Sequence, residues 1–276
     1  PKNLSNGIQK LYYIREIGDI SLITKEFSYK RKLIILGGGF IGLEVASVAR
    51  NFGVDVTILE SQERILKRTS AEIVANHIKS IHLLNGVSIK ENTSIKKILK
   101  TRENSFYILT NKNEVLYADF IIAGIGAQPN TEIACNAGLL IDNGIVVDET
   151  CRTSDPNIFA AGDCVSFPFK KDLIRLENVG NAIEQSETAS ENVLGKDIKY
   201  QPVPWFWSDQ FDVKLQIAGL NKGFTKVFHR QSDKKNSFWY YKDDQFISVD
   251  AINDPKSYMV GKKLLEMKKN PSPKDI

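Results

Sequence analysis

The sequence predicts an α/β protein whose last part turns strand-rich, and three patterns predict it. Short apolar runs alternate with helical spacings over residues 32–124, the order that builds a parallel sheet covered by helices. Turn dipeptides such as Asn143-Gly144 punctuate the next stretch. Beyond Gln201-Pro202-Val203-Pro204, aromatic and β-branched residues dominate up to about Ile252, ahead of one basic helix.

Taken in order, residues 32–36 (Lys-Leu-Ile-Ile-Leu) have the length and apolarity of a buried parallel strand, and three glycines stop them. A helix follows over 41–52, with Leu43, Val45, Ala46 and Ala49 available to face a sheet; Gly53 ends it. A second strand over 54–59 closes on Glu60, and a second helix covers about 70–84. Short strands over 87–89, 94–99, 105–109 and 115–117 are joined by polar turns such as Asn111-Lys112-Asn113, and 119–124 returns as a buried strand. The next stretch reads as strands over 139–141 and 145–147 around Asn143-Gly144. A short strand over 157–161 ends at Gly162-Asp163, and an amphipathic helix covers 181–194. A helix over about 256–269 precedes Pro271 and Pro273. Internal repeats and low-complexity tracts are absent.

Length and composition bound the function. A chain of 276 residues, 42% hydrophobic and 25% charged, suits roughly two globular domains. No apolar run approaches the ~20 residues of a membrane span, and no signal peptide is recognised. Cys135, Cys151 and Cys164 form no CxxC pair, which argues against a disulfide framework or a zinc site and makes a reducing cytoplasm the expectation. A net charge of +4 is too weak to argue for nucleic acid. Lys262, Lys263, Lys268, Lys269 and Lys274 read as a solvated helix face, with a docking patch for an acidic partner as the alternative. His77 and His82 lie five residues apart, off a shared helical face, so neither they nor His229 suggests a metal; surface or packing roles are expected. The start at Pro1, without methionine, reads as that of a fragment or processed product.

The chemistry sits in Gly37-Gly38-Gly39-Phe40-Ile41-Gly42, a G-x-G-x-x-G between an expected strand and an expected helix. Gly37 permits the tight turn, Gly39 lets backbone approach a diphosphate, and Gly42 lets helix and strand pack closely. The phosphates then rest on free N–H groups at the positive helix end. Glu60, at the end of the next strand, has the offset of the ribose-binding acid of a Rossmann-like domain. Its charge opposes a 2′-phosphate, and no arginine follows within three residues, Arg64 lying a turn further on; NADH is therefore favoured over NADPH. Gly124-Ile125-Gly126, after the returning strand, reads as a turn or a ligand contact, and beside the glycine motif as the contact.

These motifs carry a resemblance. Together with Tyr13-Ile14-Arg15, Glu44, Pro129-Asn130, Thr153-Ser154-Asp155-Pro156, Ala161-Gly162-Asp163-Cys164, Glu177-Asn178-Val179, Asn181-Ala182, Glu184-Gln185 and Pro204-Trp205-Phe206-Trp207-Ser208-Asp209-Gln210, the chain resembles the FAD-dependent pyridine nucleotide oxidoreductases. Within them it is most similar to the NADH-dependent ferredoxin reductases of oxygenase systems, the putidaredoxin reductase type. The resemblance covers nearly the whole chain. It implies a Rossmann-like NAD(P)-binding domain over 8–127, the carboxyl-side half of an FAD-binding domain over 128–197, and a small α+β C-terminal reductase domain over 198–276.

The resemblance also implies roles. Gly37, Gly39, Ile41, Gly42, Glu60, Gly124, Ile125 and Gly126 would hold NAD. Asp163 matches the carboxylate that binds the ribityl chain of FAD, where the residues alone would read as a loop-capping Asp. Val179 would turn a backbone N–H to the flavin ring, and Arg15, by itself a charged residue in an extended segment, matches an arginine at the flavin. Phe40 matches a gate over the flavin face, against its plainer reading as a helix-start hydrophobe. Glu44 matches a glutamate near the nicotinamide that pairs with a lysine, and that lysine would belong to an amino-terminal segment. Trp205 and Trp207 match the flavin edge where ferredoxin docks, or are packing residues. Cys164 reads as a small buried residue. No second G-x-G-x-x-G occurs, so the ADP-binding half of the flavin domain is expected to be absent. The expected activity is electron transfer from NADH through FAD to a ferredoxin (2Fe-2S) or similar carrier, by a monomer or homodimer. The alternatives are a truncated NADH-binding module and an interaction protein of the apoptosis-inducing-factor kind.

Overall fold

Five parallel strands organise the first half of the chain, in a computed structural model that describes residues 10–274. In chain order the elements are β1 (Leu11–Tyr13), α1 (Ile17–Ile23), β2 (Lys32–Leu36), α2 (Phe40–Asn51), β3 (Asp55–Leu59), α3 (Glu72–Leu84) and β4 (Ser88–Lys90). β5 (Ile95–Lys100), β6 (Phe106–Thr110) and β7 (Val115–Ala118) form an antiparallel meander, and β8 (Phe120–Ala123) returns. The parallel sheet runs β1-β8-β2-β3-β4, with Ile34 of β2 beside Thr57 on one side and Ile121 on the other. Leu33, Ile34, Ile35 and Leu36 are all buried, as a central parallel strand covered on both faces requires. Phe106, Ile108 and Ala118 of the meander join Ile34, Leu36 and Leu59 in one core, each large apolar side chain contributing roughly 1.5–3 kcal/mol by leaving water.

By its internal contacts the chain divides into two compact units, the first ending at Gly126 but including Ser208–Lys214, the second holding Ala127–Trp207 and the chain from Leu215 onward. The elements after β8 are α4 (Glu132–Asn136), β9 (Ile145–Val146), β10 (Val165–Phe169), β11 (Asp172–Ile174) and α5 (Val179–Val193). β12 (Trp205–Gln210), β13 (Val213–Gly219), β14 (Lys226–Ser232), β15 (Lys235–Lys242), β16 (Gln245–Ile252) and α6 (Pro255–Glu266) follow. Their sheet has the order β12-β13-β16-β15-β14. Trp239, Tyr241, Phe246, Val249 and Tyr258 form its core, and Asp254 caps α6 by accepting the Ser257 N–H at 3.2 Å.

Three local expectations change. Residues 15–23 are not simply extended: α1 forms there, started by Asp19, whose Oδ2 accepts the N–H groups of Arg15 (2.8 Å) and Glu16 (2.9 Å). Ile17 and Leu22 stay exposed, so no apolar periodicity announces this helix. The expected hairpin around Asn143-Gly144 shrinks to one bridge between Ile141 and Ile145, because β9 pairs in parallel with β10 instead. There Gly144 is pressed against Cys164 O and Ser166 Oγ, 2.9 and 2.8 Å from where a Cβ would stand. The expected strand over 157–161 is likewise a single bridge, Phe159 to Arg152. Among the described residues no helix is long and apolar enough to cross a membrane.

Candidate dinucleotide-binding site

The glycine motif occupies the bend between β2 and α2. Gly37 N donates to Leu59 O (2.9 Å), tying the bend to β3, and its φ of +98° is one that a side chain would strain. A Cβ on Gly37 would lie 2.5 Å from Gly124 O, and one on Gly42 would lie 2.1 Å from Gly37 O. Those two glycines are demanded by the protein's own backbone. Gly39 is different: none of the described residues lies within 4 Å of its would-be Cβ, so that side of the bend is open to a ligand. Gly39 also stands at the N-cap of α2 without a side-chain cap, which leaves the first-turn amides available to an anion.

Glu60 is the best-held side chain of the bend. It is only 9% exposed, with Oε2 accepting the Gly38 N–H (2.7 Å) and Oε1 accepting the Gln62 N–H (2.7 Å). Oε1 also accepts from the Ser61 hydroxyl (3.4 Å), and Oε2 keeps a further lone pair for a ribose hydroxyl. Arg64 is committed elsewhere: Nη1 donates to Ile65 O (3.1 Å) and Nη2 to Ser70 O (2.9 Å), so its guanidinium is spent on carbonyls rather than offered to a 2′-phosphate. Gly124 N donates to Leu36 O (2.8 Å), which brings Gly124-Ile125-Gly126 beside Gly37. Ile41 and Ile125 are exposed along the same bend. Sequence reading passed over Arg68, whose Nη2 is 3.6 Å from a would-be Cβ on Gly126; it follows no motif, and only the fold brings this cation to the loop.

Phe40 opens α2, half-buried, and Glu44 sits one turn later. No lysine serves Glu44 among the described residues; Ser208 Oγ donates to its Oε1 at 2.5 Å, and Ser208 belongs to the same unit. Burial pushes the Glu44 carboxyl above its usual range, the Ser208 hydroxyl opposes that, and Asp209 adds to it. His82, expected as a surface or packing residue, is fully buried with Nε2 2.8 Å from Gln210 Oε1. Arg15 is exposed just before α1. Its N–H donates to Asp19 Oδ2 (2.8 Å), and among the described residues no hydrogen bond or ion pair joins it to the glycine bend.

In the second unit, Asp163 follows Gly162, whose N–H donates to Gln185 Oε1 (2.8 Å), and Arg175 Nη1 holds Asp163 O (3.0 Å). Val179 is the first residue of α5 and 55% exposed. Asn178 caps Asn181 N (2.8 Å), so the Val179 and Gly180 amides are the ones left at this positive helix end. These residues fit the carboxyl-side share of a flavin site, a sugar acceptor and an amide donor. Trp205 is a packing residue: it lies against Gly180, donates to Glu184 Oε1 (3.3 Å) and carries Lys262 Nζ 4.8 Å over its ring. Trp207 stacks on it at 5.6 Å and remains 40% exposed.

The sequence model of the family described as pyridine nucleotide-disulphide oxidoreductase matches residues 2–191. This chain belongs to that family. Residues 205–276 match a second model, described as reductase C-terminal. Rhodocoxin reductase of Rhodococcus erythropolis is 37% identical over 259 residues, covering 92% of this chain and 61% of that protein. Putidaredoxin reductase of Pseudomonas putida is 35% identical over 259 residues, with the same 92% and 61%. The chain therefore spans 61% of the length of both these curated relatives. Among solved structures, the ferredoxin reductase for the CYP199A2 system of Rhodopseudomonas palustris superposes with a TM-score of 0.93 at 31% identity, over 97% of this chain and 67% of that one. Putidaredoxin reductase in its covalent complex with putidaredoxin gives 0.92 at 34% identity, over 96% and 65%.

As a member of a family named for disulphides, the chain has no dithiol to use: Cys135, Cys151 and Cys164 are all free. Burial pushes the Cys151 thiol up to about 11, with the charge of Asp148 adding to it, so it is a poor nucleophile at neutral pH.

Proposed function

We propose that this chain supplies the NADH-binding part of a flavoprotein reductase that passes electrons from NADH through FAD to a ferredoxin (2Fe-2S) or a similar small carrier. One observation carries the reading: the open side of the bend at Gly39, beside a Glu60 carboxylate already oriented by the Gly38 N–H. In this reading Gly37, Gly39, Ile41, Gly42, Gly124, Ile125 and Gly126 hold the dinucleotide, Glu60 selects the unphosphorylated ribose, and Phe40 and Glu44 serve the nicotinamide end. Arg15, Asp163 and Val179 serve the flavin, Asp163 at the sugar chain and Val179 by a backbone amide that favours negative charge on the ring. FAD, when bound, supplies the conversion of a two-electron donor into single electrons. The protein's own share is to bind, orient and keep water out; no side chain has to transfer a proton.

The relatives support the partner, since two bear the names of reductases for rhodocoxin and putidaredoxin, and one is seen joined to putidaredoxin. We assign the three-part organisation 8–127, 128–197 and 198–276 and place the protein in the cytoplasm, on the strength of its free cysteines. Titration of the purified chain with NADH and NADPH tests the reading. NADH should bind more tightly, and Glu60→Ala should narrow the gap; equal affinities in the parent would overturn it. Turnover of the flavin-loaded protein is read as ferredoxin-dependent oxidation of NADH.

A further inference from the structure

Three polar side chains that the chemistry above does not use run in a line through the first unit to Glu44. His82, in the last turn of α3, is 0% exposed, and Ser208 and Gln210 are each 1% exposed. The spacings are 2.8 Å from His82 Nε2 to Gln210 Oε1, 2.9 Å from Gln210 Nε2 to Ser208 Oγ, and 2.5 Å from Ser208 Oγ to Glu44 Oε1.

The direction of this line follows from its end. An ionised carboxylate only accepts, so the Ser208 hydroxyl must donate to Glu44. Its oxygen is then left to accept from the Gln210 amide nitrogen. That turns the Gln210 carbonyl toward His82, which must donate from Nε2. The histidine proton therefore sits on Nε2, and Nδ1 is a bare lone pair, in keeping with its being buried without a hydrogen-bond partner. A second proton on the ring would bury an unpaired N–H, and burial indeed pushes the His82 pKa down. Other contacts fasten the same segment: Phe211 N donates to Ser47 Oγ (2.6 Å), about one turn along α2 from Glu44, and the His82 ring meets Phe211 edge-on at 5.0 Å. The charge of Asp209 opposes ionisation of Glu44, and Lys214 lies 3.8 Å from Asp209.

We propose that His82, Gln210 and Ser208 are positioning residues acting through Glu44, a one-directional hydrogen-bond chain that keeps its carboxylate ionised and fixed in the second turn of α2 for the nicotinamide end of NADH. Only the use of the carboxylate rests on the NADH-binding reading; the chain itself does not.

The test is NMR on the protein as it stands, with 13C-labelled glutamate carboxyls and 15N-labelled histidines, of which there are three. In the parent, His82 should show the Nε2–H tautomer. Ser208→Ala should raise the Glu44 titration midpoint by about one pH unit, a tenfold weaker hold on the ionised form, and release the tautomer preference. Ser208→Thr, which keeps the hydroxyl, should restore both, and Gln210→Leu should shift Glu44 in the same direction by less. A parent His82 protonated on Nδ1, or a Glu44 midpoint unmoved in Ser208→Ala, would overturn the proposal. The parent tautomer needs no variant, so the proposal stays testable even if a substitution fails to fold. NADH titration of the same samples separates the two claims. A parent that shows the tautomer and the shift but does not bind NADH sinks the functional reading and leaves the chain standing.

Discussion

Two alanine substitutions in the same bend separate a glycine kept for the protein from a glycine kept for a ligand. At Gly42 a Cβ would stand 2.1 Å from the Gly37 carbonyl oxygen, a backbone atom that cannot rotate away. Relief requires α2 to lift from β2, and overpacking of this kind costs about 1–3 kcal/mol. At Gly39 the backbone has φ −80° and ψ −179°, ordinary extended geometry, and none of the described residues lies within 4 Å of the added carbon. Alanine there restricts the unfolded chain at no native cost and should leave stability unchanged or raise it by about 0.4–1 kcal/mol. The same methyl occupies the approach to the first-turn amides, where a diphosphate must come within hydrogen-bond distance. We therefore expect Gly39→Ala to melt at or above the parent temperature while losing at least about tenfold in NADH affinity, roughly 1.4 kcal/mol. Gly42→Ala should melt lower. Calorimetry with fluorescence titration of NADH reads both quantities on one sample. A Gly39→Ala protein that binds NADH as the parent does would refute the placement of the diphosphate.

Two further outcomes are expected. Asp250 is fully buried, holds the Tyr240 hydroxyl at 2.9 Å and leaves Oδ1 unpartnered; burial pushes its carboxyl up to about 7, the Tyr240 bond opposing. Because the folded pKa lies above the ordinary value of 3.8, the stabilisation is complete below that value and is lost as pH rises through about 7. Melting temperature should fall over that window, and Asp250→Asn should flatten the fall; an identical pH slope in the variant would count against it. The thiols should separate in a thiol-titration assay, Cys135 reacting in the native protein because it is exposed, and buried Cys151 only after denaturant, with fast labelling of Cys151 speaking against the packing described here.

What was legible in the sequence was what depends on neighbours in sequence. The run 32–36, the three glycines and Glu60 are separated by a fixed strand–turn–helix geometry, so their spacing alone announces the bend, and β2, α2 and β3 lie where it places them. α1 escaped because Ile17, Ile20 and Leu22 face solvent and its start rests on a local capping box between Glu16 and Asp19. The pairing of β9 with β10 escaped for a related reason: Asn143-Gly144 carries a true turn signal, but the partner of Ile145 is decided by what Gly144 can press against, Cys164 and Ser166, some twenty residues on. The line from His82 to Glu44 is the extreme case. Ser208 and Glu44 are 164 positions apart and His82 and Gln210 are 128, and no sequence pattern joins Glu44 or His82 to the Ser208–Gln210 run. Yet each piece had an unexplained feature in the sequence: a histidine in an otherwise apolar helix end, and a Ser-Asp-Gln closing an aromatic run. A polar residue at a position that burial would otherwise give to an apolar one needs a partner, because leaving it unpaired costs about 1–3 kcal/mol. Two such positions in distant segments are therefore candidates for one another, and His82 and Gln210 meet that description.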